Sequence, residues 1–380
     1  MTHVVEINDI HELSHYRLLW DLLLSQTRGG SFFQSLAWLE TYWRHFGQRQ
    51  RLRVLIVYSG DEPVGILPLT ETRERTRVGT TRVLTYPLHD WGSFYGPVGP
   101  NPTATLYAAL RHVRRTPRRW DMLDLRWIGH EGCDNSRVAV AMQAAGLPAR
   151  HSVWKEIAVV EMTGDWERYL ASRSSKFRNN LRRCQKRVEE LGGVEFQRYR
   201  PGGVKEGDAD PRWDDYDQCV ALAGRTWQGS SQTGTTLSHD AVRDFFRDSH
   251  ELAARAGALD LALVKRHGEV IAFGYNYHFG GYVSGLRMGH DPQFEKAGLG
   301  NVLYASSFTD SFRRGDTLFD MGPGYLDIKR HWLTSIKESY RCTHYAPTRP
   351  RAQLLRLKHW LGDRWTSSFG RSADAKARPA

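Results

Sequence analysis

Apolar and polar positions follow two different periods along the chain, and two stretches of it show the same order of patterns. Residues 54–69 (VLIVYSGDEPVGILPL) and 261–277 (LALVKRHGEVIAFGYNY) each contain two apolar, β-branched runs around a short turn with glycine. A helical spacing of apolar residues precedes each stretch, at 35–46 and 239–256. The pattern predicts a helix and then a β-hairpin in each half. It favours a duplicated α/β module, with a chance match as the alternative.

Other segments extend this mixed pattern. The first half has strand patterns at 82–87 and 121–129 and helix patterns at 106–115 and 137–145. In the second half we expect one helix from Asp165 to Leu191, a helix at 300–314, and strands at 194–200, 282–290, 317–321 and 335–344. The sequence therefore predicts an α/β fold (α+β, with a mixed sheet).

Three loops are candidates for substrate contacts. The polar, glycine-rich loops 201–211 and 228–236 are typical of substrate lids. The loop 89–102 carries Trp91, Phe94 and Tyr95, which form either a cleft wall or ordinary core packing.

Composition indicates a globular chain that carries no metal. Of 380 residues, 40% are apolar and 25% charged, and the longest apolar stretches fall short of a membrane span. The start has no signal-peptide pattern, so we expect a cytoplasmic protein. The cysteines lie far apart without a CxxC motif, which argues against a zinc site or a disulfide framework; they are Cys133, Cys184, Cys219 and Cys342.

The net charge of +11 is concentrated near the C-terminus. Residues 341–380 contain nine Lys and Arg against Asp363 and Asp374, and so supply seven of the eleven charges. The stretch from Ala352 to Trp365 predicts a basic amphipathic helix, which either lies on an anionic membrane or docks on its own domain. No nucleic-acid motif accompanies these charges, so no DNA partner is expected, and the oligomeric state stays open.

The strongest candidate for a ligand-binding loop lies between Asp291 and Leu303, where a strand pattern ends and a helix pattern begins. Gly298 and Gly300 have no side chains, so the backbone there can approach a ligand closely. The free N–H groups of a first helical turn carry a partial positive charge that suits a pyrophosphate. We therefore predict a phosphate-binding loop at 292–300.

This loop resembles the donor loop of the GNAT acyltransferase superfamily, roughly Pro-x-aromatic-Arg-Gly-x-Gly-aliphatic-Gly before a helix. The matching residues are Pro292, Phe294, Gly298, Leu299 and Gly300. Glu295 and Lys296 replace the Arg-Gly pair; the acidic side chain is unfavourable beside a pyrophosphate, and Lys296 could compensate for it. The resemblance implies acetyl-CoA or another acyl-CoA as donor, bound by Met288, Lys296, Ala297, Gly298, Leu299, Gly300 and Asn301.

More of the chain resembles one branch, the CelD-like proteins associated with polysaccharide synthesis and the related Fem-type aminoacyl transferases, which carry two GNAT-like units. The matching motifs are FFQS…W at 32–38, GILPL at 65–69, SKFRNNLRR at 175–183 and FDMG…K…W at 319–332. This resemblance implies tandem GNAT-like modules, each a mixed, mostly antiparallel sheet flanked by helices. We expect a GNAT-like domain at 1–160, the acyltransferase domain at 161–345 and a basic helix and tail at 346–380.

GNAT chemistry is direct attack of an amine or hydroxyl on a thioester, which needs proton removal and oxyanion stabilisation. Asp320 is the candidate base or substrate orienter, or else it caps the turn at 322–324. Lys329 matches a lysine of the Fem-like branch and stabilises negative charge, or else it is a surface lysine. Tyr325 protonates the leaving thiolate, as a tyrosine does in many GNAT enzymes, or else packs in the core.

The candidate substrate contacts are Arg178, Arg182, Trp227 and His290. Arg178 and Arg182 lie in a basic cluster that either binds a phosphate or forms a solvated helix face. His290 either contacts a ligand or is structural.

Together these features predict an acyl-CoA-dependent N- or O-acyltransferase. Its acceptor would be a sugar, a polysaccharide precursor or an amino-acid-like small molecule. The alternatives are a Fem-like transferase that uses aminoacyl-tRNA, for which no long helical arm is visible in the sequence, and a nonenzymatic nucleic-acid-binding protein.

Overall fold

The computed structural model describes residues 1–88, 91–129, 134–231 and 236–361. Its strands are β1 (Thr2–Ile7), β2 (Arg51–Ser59), β3 (Glu62–Thr76), β4 (Gly79–Thr85), β5 (Met122–Ile128), β6 (Arg150–Glu161), β7 (Val194–Tyr199), β8 (Leu259–Arg266), β9 (Glu269–Phe279), β10 (Tyr282–His290), β11 (Leu318–Pro323) and β12 (Ser335–Tyr345). Its helices are α1 (Arg17–Ser25), α2 (Leu36–Phe46), α3 (Pro102–Arg115), α4 (Asp134–Ala144), α5 (Trp166–Ala171), α6 (Ser175–Glu190), α7 (Trp213–Gly224), α8 (Arg243–Arg255), α9 (Leu299–Arg314) and α10 (Leu326–Lys329). A C-terminal helix covers 350–361.

All twelve strands form one sheet in the order β1-β2-β3-β4-β5-β12-β6-β11-β10-β9-β8-β7. Strands β1 to β4 are antiparallel, β4 and β5 are parallel, and β12 adds antiparallel to β5. Strands β7 to β10 repeat the antiparallel run, β10 and β11 are parallel, and β6 adds antiparallel to β11. We call these six-stranded units the N-terminal and C-terminal half-sheets. The predicted mixed α/β fold is confirmed.

The two half-sheets exchange their inner strands. β6 follows the first five strands in sequence but pairs with β11, whereas β12 ends the second set and pairs with β5. β6 and β12 also pair with each other along nine residue positions and so join the halves. The predicted units 1–160 and 161–345 therefore each complete the other unit's sheet.

Alternation along the strands places helices on both faces. In β2, Val54 and Ile56 pack in a core with Trp20 of α1 and Leu39 of α2. Leu55 faces the other way into the largest core, which also holds residues of α3, α4, α7 and α8. In the C-terminal half-sheet, Ala262, Val264 and Ala272 pack with α6 and α9 through Val188 and Leu303, among others.

Several predicted elements need correction. The single helix expected from Asp165 to Leu191 is two helices, because Asp165 caps α5 and Ser174 accepts the Phe177 N–H at 3.2 Å to begin α6. The patterns of β1, α1 and β6 were missed. Both hairpins are confirmed, with Ser59 paired to Glu62 and Arg266 paired to Glu269.

The predicted tail helix docks on its own domain through one side. Ala352 and Leu355 are buried, whereas Leu354, Leu357 and Leu361 are exposed. Trp365 lies outside the described residues. Among the described residues, no helix is long and apolar enough to cross a membrane.

Candidate active site

The parallel strands β10 and β11 separate after a short paired stretch. Tyr282, Val283 and Ser284 pair with Leu318, Phe319 and Asp320. β10 then has an irregularity between Gly285 and Arg287 and continues along β9 to His290, while β11 shifts register against β6 after Asp320. A wedge-shaped opening results. We call it the strand cleft; it is lined by Gly274, Asn276, Gly285, Leu286, Arg287, Met288, Leu303, Tyr304, Ser307, Phe319 and Met321.

The predicted donor loop lies at the end of β10, where it begins α9. Asp291 accepts the Gln293 N–H at 2.9 Å, and a short 3-10 helix leads to Gly298 in the left-handed region at φ 78°. A Cβ at Gly298 would lie 2.5 Å from Sγ of Cys184, so both the conformation and the contact require glycine. The Asn301 and Val302 N–H groups donate to the Gly298 carbonyl at 3.0 and 3.3 Å, whereas those of Leu299 and Gly300 have no partner within the helix, an arrangement that suits an anion.

The predicted donor-binding residues divide by exposure. Ala297 and Leu299 bury their side chains between α6 and α9, so they can offer a ligand only their backbone. Lys296 is exposed, and its carbonyl accepts a 3.1 Å hydrogen bond from Arg187 of α6. Asn301 contacts Cys184 with an Nδ2 to Sγ distance of 3.9 Å.

Three further side chains lie around this loop. Met288 lines the strand cleft, and its Cε is 3.4 Å from the position of a Cβ at Gly300. His290 faces the same glycine, with Nδ1 4.0 Å from that position. Gln228 was missed in the sequence; it is buried, and its Nε2 donates to the Met288 carbonyl at 3.2 Å. Its Oε1 has no partner among the described residues.

Asp320 is buried on β11 and accepts several hydrogen bonds. The Gly322 N–H donates to Oδ1 at 2.6 Å, so the carboxylate does cap the turn at 322–324. The hydroxyl of Tyr282 donates to Oδ2 at 3.3 Å, and the hydroxyl of Ser93 donates as well. Burial raises the pKa of Asp320 despite these bonds and the nearby charge of Lys329. Asp320 therefore holds a proton more readily than an ordinary aspartate.

Lys329 is buried beside the same turn, so the surface-lysine alternative is wrong. Its Nζ donates to the carbonyls of Gly322 at 2.8 Å and Pro323 at 3.3 Å. Burial lowers the pKa of Lys329 to about 8, against the opposing effect of Asp320. A positive charge thus lies close to Asp320 at neutral pH.

Tyr325 is 66% exposed, so the core-packing alternative is wrong for this residue. Its backbone is left-handed at φ 52°, and its carbonyl accepts the N–H of Lys329 at 3.2 Å. Its ring lies 6.1 Å from that of Trp227, which is itself 52% exposed. The two form an aromatic pair on the surface beside α10.

The basic cluster on α6 separates into residues with different partners. The guanidinium of Arg178 donates to the carbonyls of Ala171, at 3.1 Å, and Arg173, and so it closes the end of α5. Only Nη1 makes these bonds, and the phosphate contact expected of Arg178 stays a prediction. Arg182 is exposed and donates to Asn179 at 3.1 Å, as expected for a solvated helix face.

A larger cavity opens on the other side of β11. Consecutive strand residues face opposite sides, so Asp320 enters this cavity while Phe319 and Met321 line the strand cleft. We call it the N-terminal cavity, because most of its residues precede Gly129; it is lined by Thr27, Arg28, Gly29, Ser31, Phe33, Gln34, Tyr86, Ser93, Phe94, Tyr95, Gly96, Pro97, Pro102, Thr103, Leu106, Ile128, Gly129, Val138, Tyr282, Ser284, Asp320 and Lys337.

This cavity combines aromatic walls with polar groups, of which Arg28, Asp320 and Lys337 are charged residues. The predicted wall loop supplies Phe94 and Tyr95, whereas Trp91 packs in the core against Phe245 and Phe246. The hydroxyl of Tyr86 is buried in the cavity without a partner among the described residues. A ligand could satisfy this group, which the sequence did not single out.

Comparisons with known proteins agree with this architecture. Residues 175–330 match the family model of the acetyltransferase (GNAT) domain, from α6 to just past α10. No curated protein sequence matches the chain significantly.

Two solved structures share the fold over nearly the whole chain. FemX is similar at 12% identity with a TM-score of 0.63, covering 92% of this chain and 99% of its own. The C-terminal DUF2156 domain of a protein from Agrobacterium fabrum is similar at 13% identity with a TM-score of 0.54, covering 92% of this chain and 96% of its own. Residues 175–330 are thus a GNAT domain, and the protein is an acyltransferase.

Proposed function

We propose that the protein transfers an acyl group from acyl-CoA to the amine or hydroxyl of an acceptor bound in the N-terminal cavity. The observation that carries this proposal is the strand cleft, which opens beside the donor loop where β10 and β11 separate, next to the pair Ser284–Asp320. Asp320 lines the N-terminal cavity on the other face of β11. A donor entering from one face and an acceptor from the other would meet at β11.

The strand cleft fits the extended arm of coenzyme A. A strand that has lost its neighbour offers backbone N–H and C=O groups, with which the amides of the pantetheine arm can pair like an added strand. At the far end, the first turn of α9 supplies N–H donors for the pyrophosphate.

Lys296 is proposed to balance the negative charge of Glu295 at the pyrophosphate end of the donor site. The donor loop has Glu295 where the GNAT pattern has arginine, and Lys296 and Arg187 are the cations next to it. We propose that Lys296 offsets the acidic side chain toward the phosphates.

The reaction follows from the groups at β11. The acceptor lone pair forms a bond to the thioester carbonyl carbon, and the Asp320 carboxylate takes the acceptor's proton. The C–S bond breaks as the carbonyl re-forms, and coenzyme A leaves as a thiolate that then takes up a proton. The buried charge of Lys329 lowers the energy of the oxyanion that precedes this step.

The acceptor is proposed to be a saccharide, a polysaccharide precursor or an amino-acid-like molecule. Aromatic faces of Phe94 and Tyr95 beside Ser31, Gln34 and Thr103 suit a compact ligand with hydroxyl and amide groups. The motifs shared with the CelD-like branch point in the same direction. We infer that the protein belongs to this branch.

Calorimetric titration with acetyl-CoA, longer acyl-CoAs and aminoacyl-tRNA tests the donor. Gly298 is unsuitable for substitution, because strain and the Cys184 contact would disturb the fold. Gly300→Asp is the sharper probe: an acidic residue in the first turn favours the helix but repels a pyrophosphate. We expect acetyl-CoA affinity to fall at least tenfold, roughly 1.4 kcal/mol.

Gly300→Ala is the matched control, since it fills the same position without charge and should leave affinity within about threefold. Retained acetyl-CoA binding in Gly300→Asp would contradict the site. Binding of aminoacyl-tRNA alone would replace acyl-CoA as the donor.

A further inference from the structure

The C-terminal helix has two apolar sides. On the inner side, Ala352 and Leu355 are buried in a small core with Val83, Met122 and Tyr345. At 100° per residue, Leu354, Leu357 and Leu361 fall on the opposite side. Their exposures are 55%, 52% and 52%. A helix that is already docked therefore presents a second stripe of leucines to solvent, which soluble surfaces rarely do.

Positive charges border this outer stripe. The helical spacing places Arg351 and Lys358 along one edge of the stripe, whereas Arg356 lies nearer the docked side, and all three are exposed. The stretch from Arg341 to Leu361 contains no acidic residue.

The positive surface continues beyond the helix. Arg349 donates to the carbonyl of Arg118 at 2.9 Å. The pKa of Arg118 is lowered, first by burial and then by Arg114 and Arg349. These arginines therefore lie close to one another next to the start of the C-terminal helix and add positive charge to this part of the surface.

We propose that this surface binds an anionic lipid bilayer, with the C-terminal helix lying in the plane of the interface. Leucine side chains there enter the boundary between headgroups and acyl chains, while the bordering Arg and Lys contact anionic headgroups. A nucleic acid would use the arginines but would leave the leucine stripe in water. The proposal is independent of which acyl donor the enzyme uses.

Co-sedimentation of the full chain with vesicles tests this surface. Vesicles of phosphatidylcholine with phosphatidylglycerol should pellet the protein at low salt, and vesicles of phosphatidylcholine alone should not. Salt at about 0.5 M should weaken the binding, because the charge attraction is screened. We expect Leu357→Gln/Leu361→Gln to reduce the bound fraction at least about fivefold, because the removed side chains provide the apolar part of the binding.

The matched control is Leu18→Gln/Leu22→Gln on α1, which alters two leucines that are 86% and 56% exposed elsewhere. It should leave vesicle binding unchanged. Arg356→Glu/Lys358→Glu should weaken binding to anionic vesicles and leave the melting temperature unchanged. Deleting the helix is a poorer test, because Val83 and Met122 would lose their cover.

Three results would each overturn the proposal. The parent protein would pellet equally with neutral and anionic vesicles, the Leu18→Gln/Leu22→Gln control would lose as much binding as Leu357→Gln/Leu361→Gln, or the parent would not pellet at all. RNA binding that displaces vesicles and survives the Leu357→Gln/Leu361→Gln change would also overturn it.

Discussion

The two half-sheets share one strand pattern, but among the described residues an open cleft between parallel strands occurs in the C-terminal half-sheet alone. In the N-terminal half-sheet, β4 and β5 pair only at Val83 with Met122 and Leu84 with Leu123. The edge of β5 beyond them is occupied by the chain itself: the Tyr95 N–H donates to the Trp127 carbonyl at 2.7 Å, and Tyr95 bridges to Ile128. In the described part of the chain, no strand lies between β10 and β11 beyond the pair Ser284–Asp320, although the Gln228 side chain donates to the Met288 carbonyl of β10 at 3.2 Å.

The same contrast holds for two buried aspartates. Asp124 on β5 directly follows the two residues that pair with the parallel neighbour strand, and Asp320 is the last of the three residues of β11 that pair with theirs. Burial would raise the pKa of Asp124, but Arg126 and Arg341 outweigh it and hold the pKa below its usual value. Asp320 has no arginine among its pKa determinants, and burial raises its pKa.

The difference shows how the two halves of a duplicated fold can take different roles. In the N-terminal half the chain occupies its own cleft and arginines neutralise Asp124, so this half contributes walls to the N-terminal cavity rather than a second donor cleft. In the C-terminal half the cleft is open, and the aspartate can gain or lose a proton. We propose one donor site per chain on this basis.

Exchanging each aspartate for asparagine should separate the structural role of Asp124 from the proposed catalytic role of Asp320. These two variants have the largest expected effects. Asp320→Asn removes the proposed base, so kcat should fall by about 10²- to 10⁴-fold, and the low-pH limb of the rate profile should disappear. Asp124→Asn leaves Arg341 without its carboxylate partner and Arg126 with Glu74 alone, and it should lower the free energy of unfolding by about 3 to 5 kcal/mol.

Steady-state rates across pH and denaturant titrations measure these effects. If Asp320→Asn lost stability but kept both kcat and the low-pH limb, Asp320 would be structural like Asp124.

Local patterns predicted much of the C-terminal half-sheet, and long-range contacts account for what they missed. The hairpins, β10, α9 and the donor loop follow from periodicity and glycine positions, which act over a few residues. The burial of Lys329, by contrast, depends on how the 322–324 turn folds back over β11.

Other features also depend on contacts between distant residues. No local sequence pattern predicts that Arg178 donates to the Ala171 carbonyl at the end of α5, or that the Tyr95 N–H donates to the Trp127 carbonyl. The exchange of β6 and β12 pairs residues as far apart as Met122 and Tyr345.

Lys329→Met tests the charge beside Asp320 and has the next largest expected effect. We expect kcat to fall by about a hundredfold and acetyl-CoA affinity to change little, because the lysine is proposed to stabilise the oxyanion rather than to bind the donor. Stability gives a second readout. The folded-state pKa of about 8 is lower than the unfolded value of 10.5, so the unfolded chain binds more protons in this range. Parent stability should therefore rise relative to the variant between pH 8 and 10.5, by roughly 3 kcal/mol. A flat difference across that range would argue against a buried ammonium.

Tyr325→Phe is expected to have the smallest effect, less than about tenfold on kcat, because a thiolate with a thiol pKa near 8.5 leaves readily without an acid. The hydroxyl is removed while the ring can still contact Trp227, whose centroid is 6.1 Å away. Tyr325→Ala is the companion variant, since it also removes the ring from the strained position at φ 52°. A change in kcat shared by both variants would assign the effect to the hydroxyl and make Tyr325 the proton donor to coenzyme A. A change in the acceptor KM confined to Tyr325→Ala would instead assign it to the aromatic pair, and the C-terminal half would then contribute to acceptor binding as well as to donor binding.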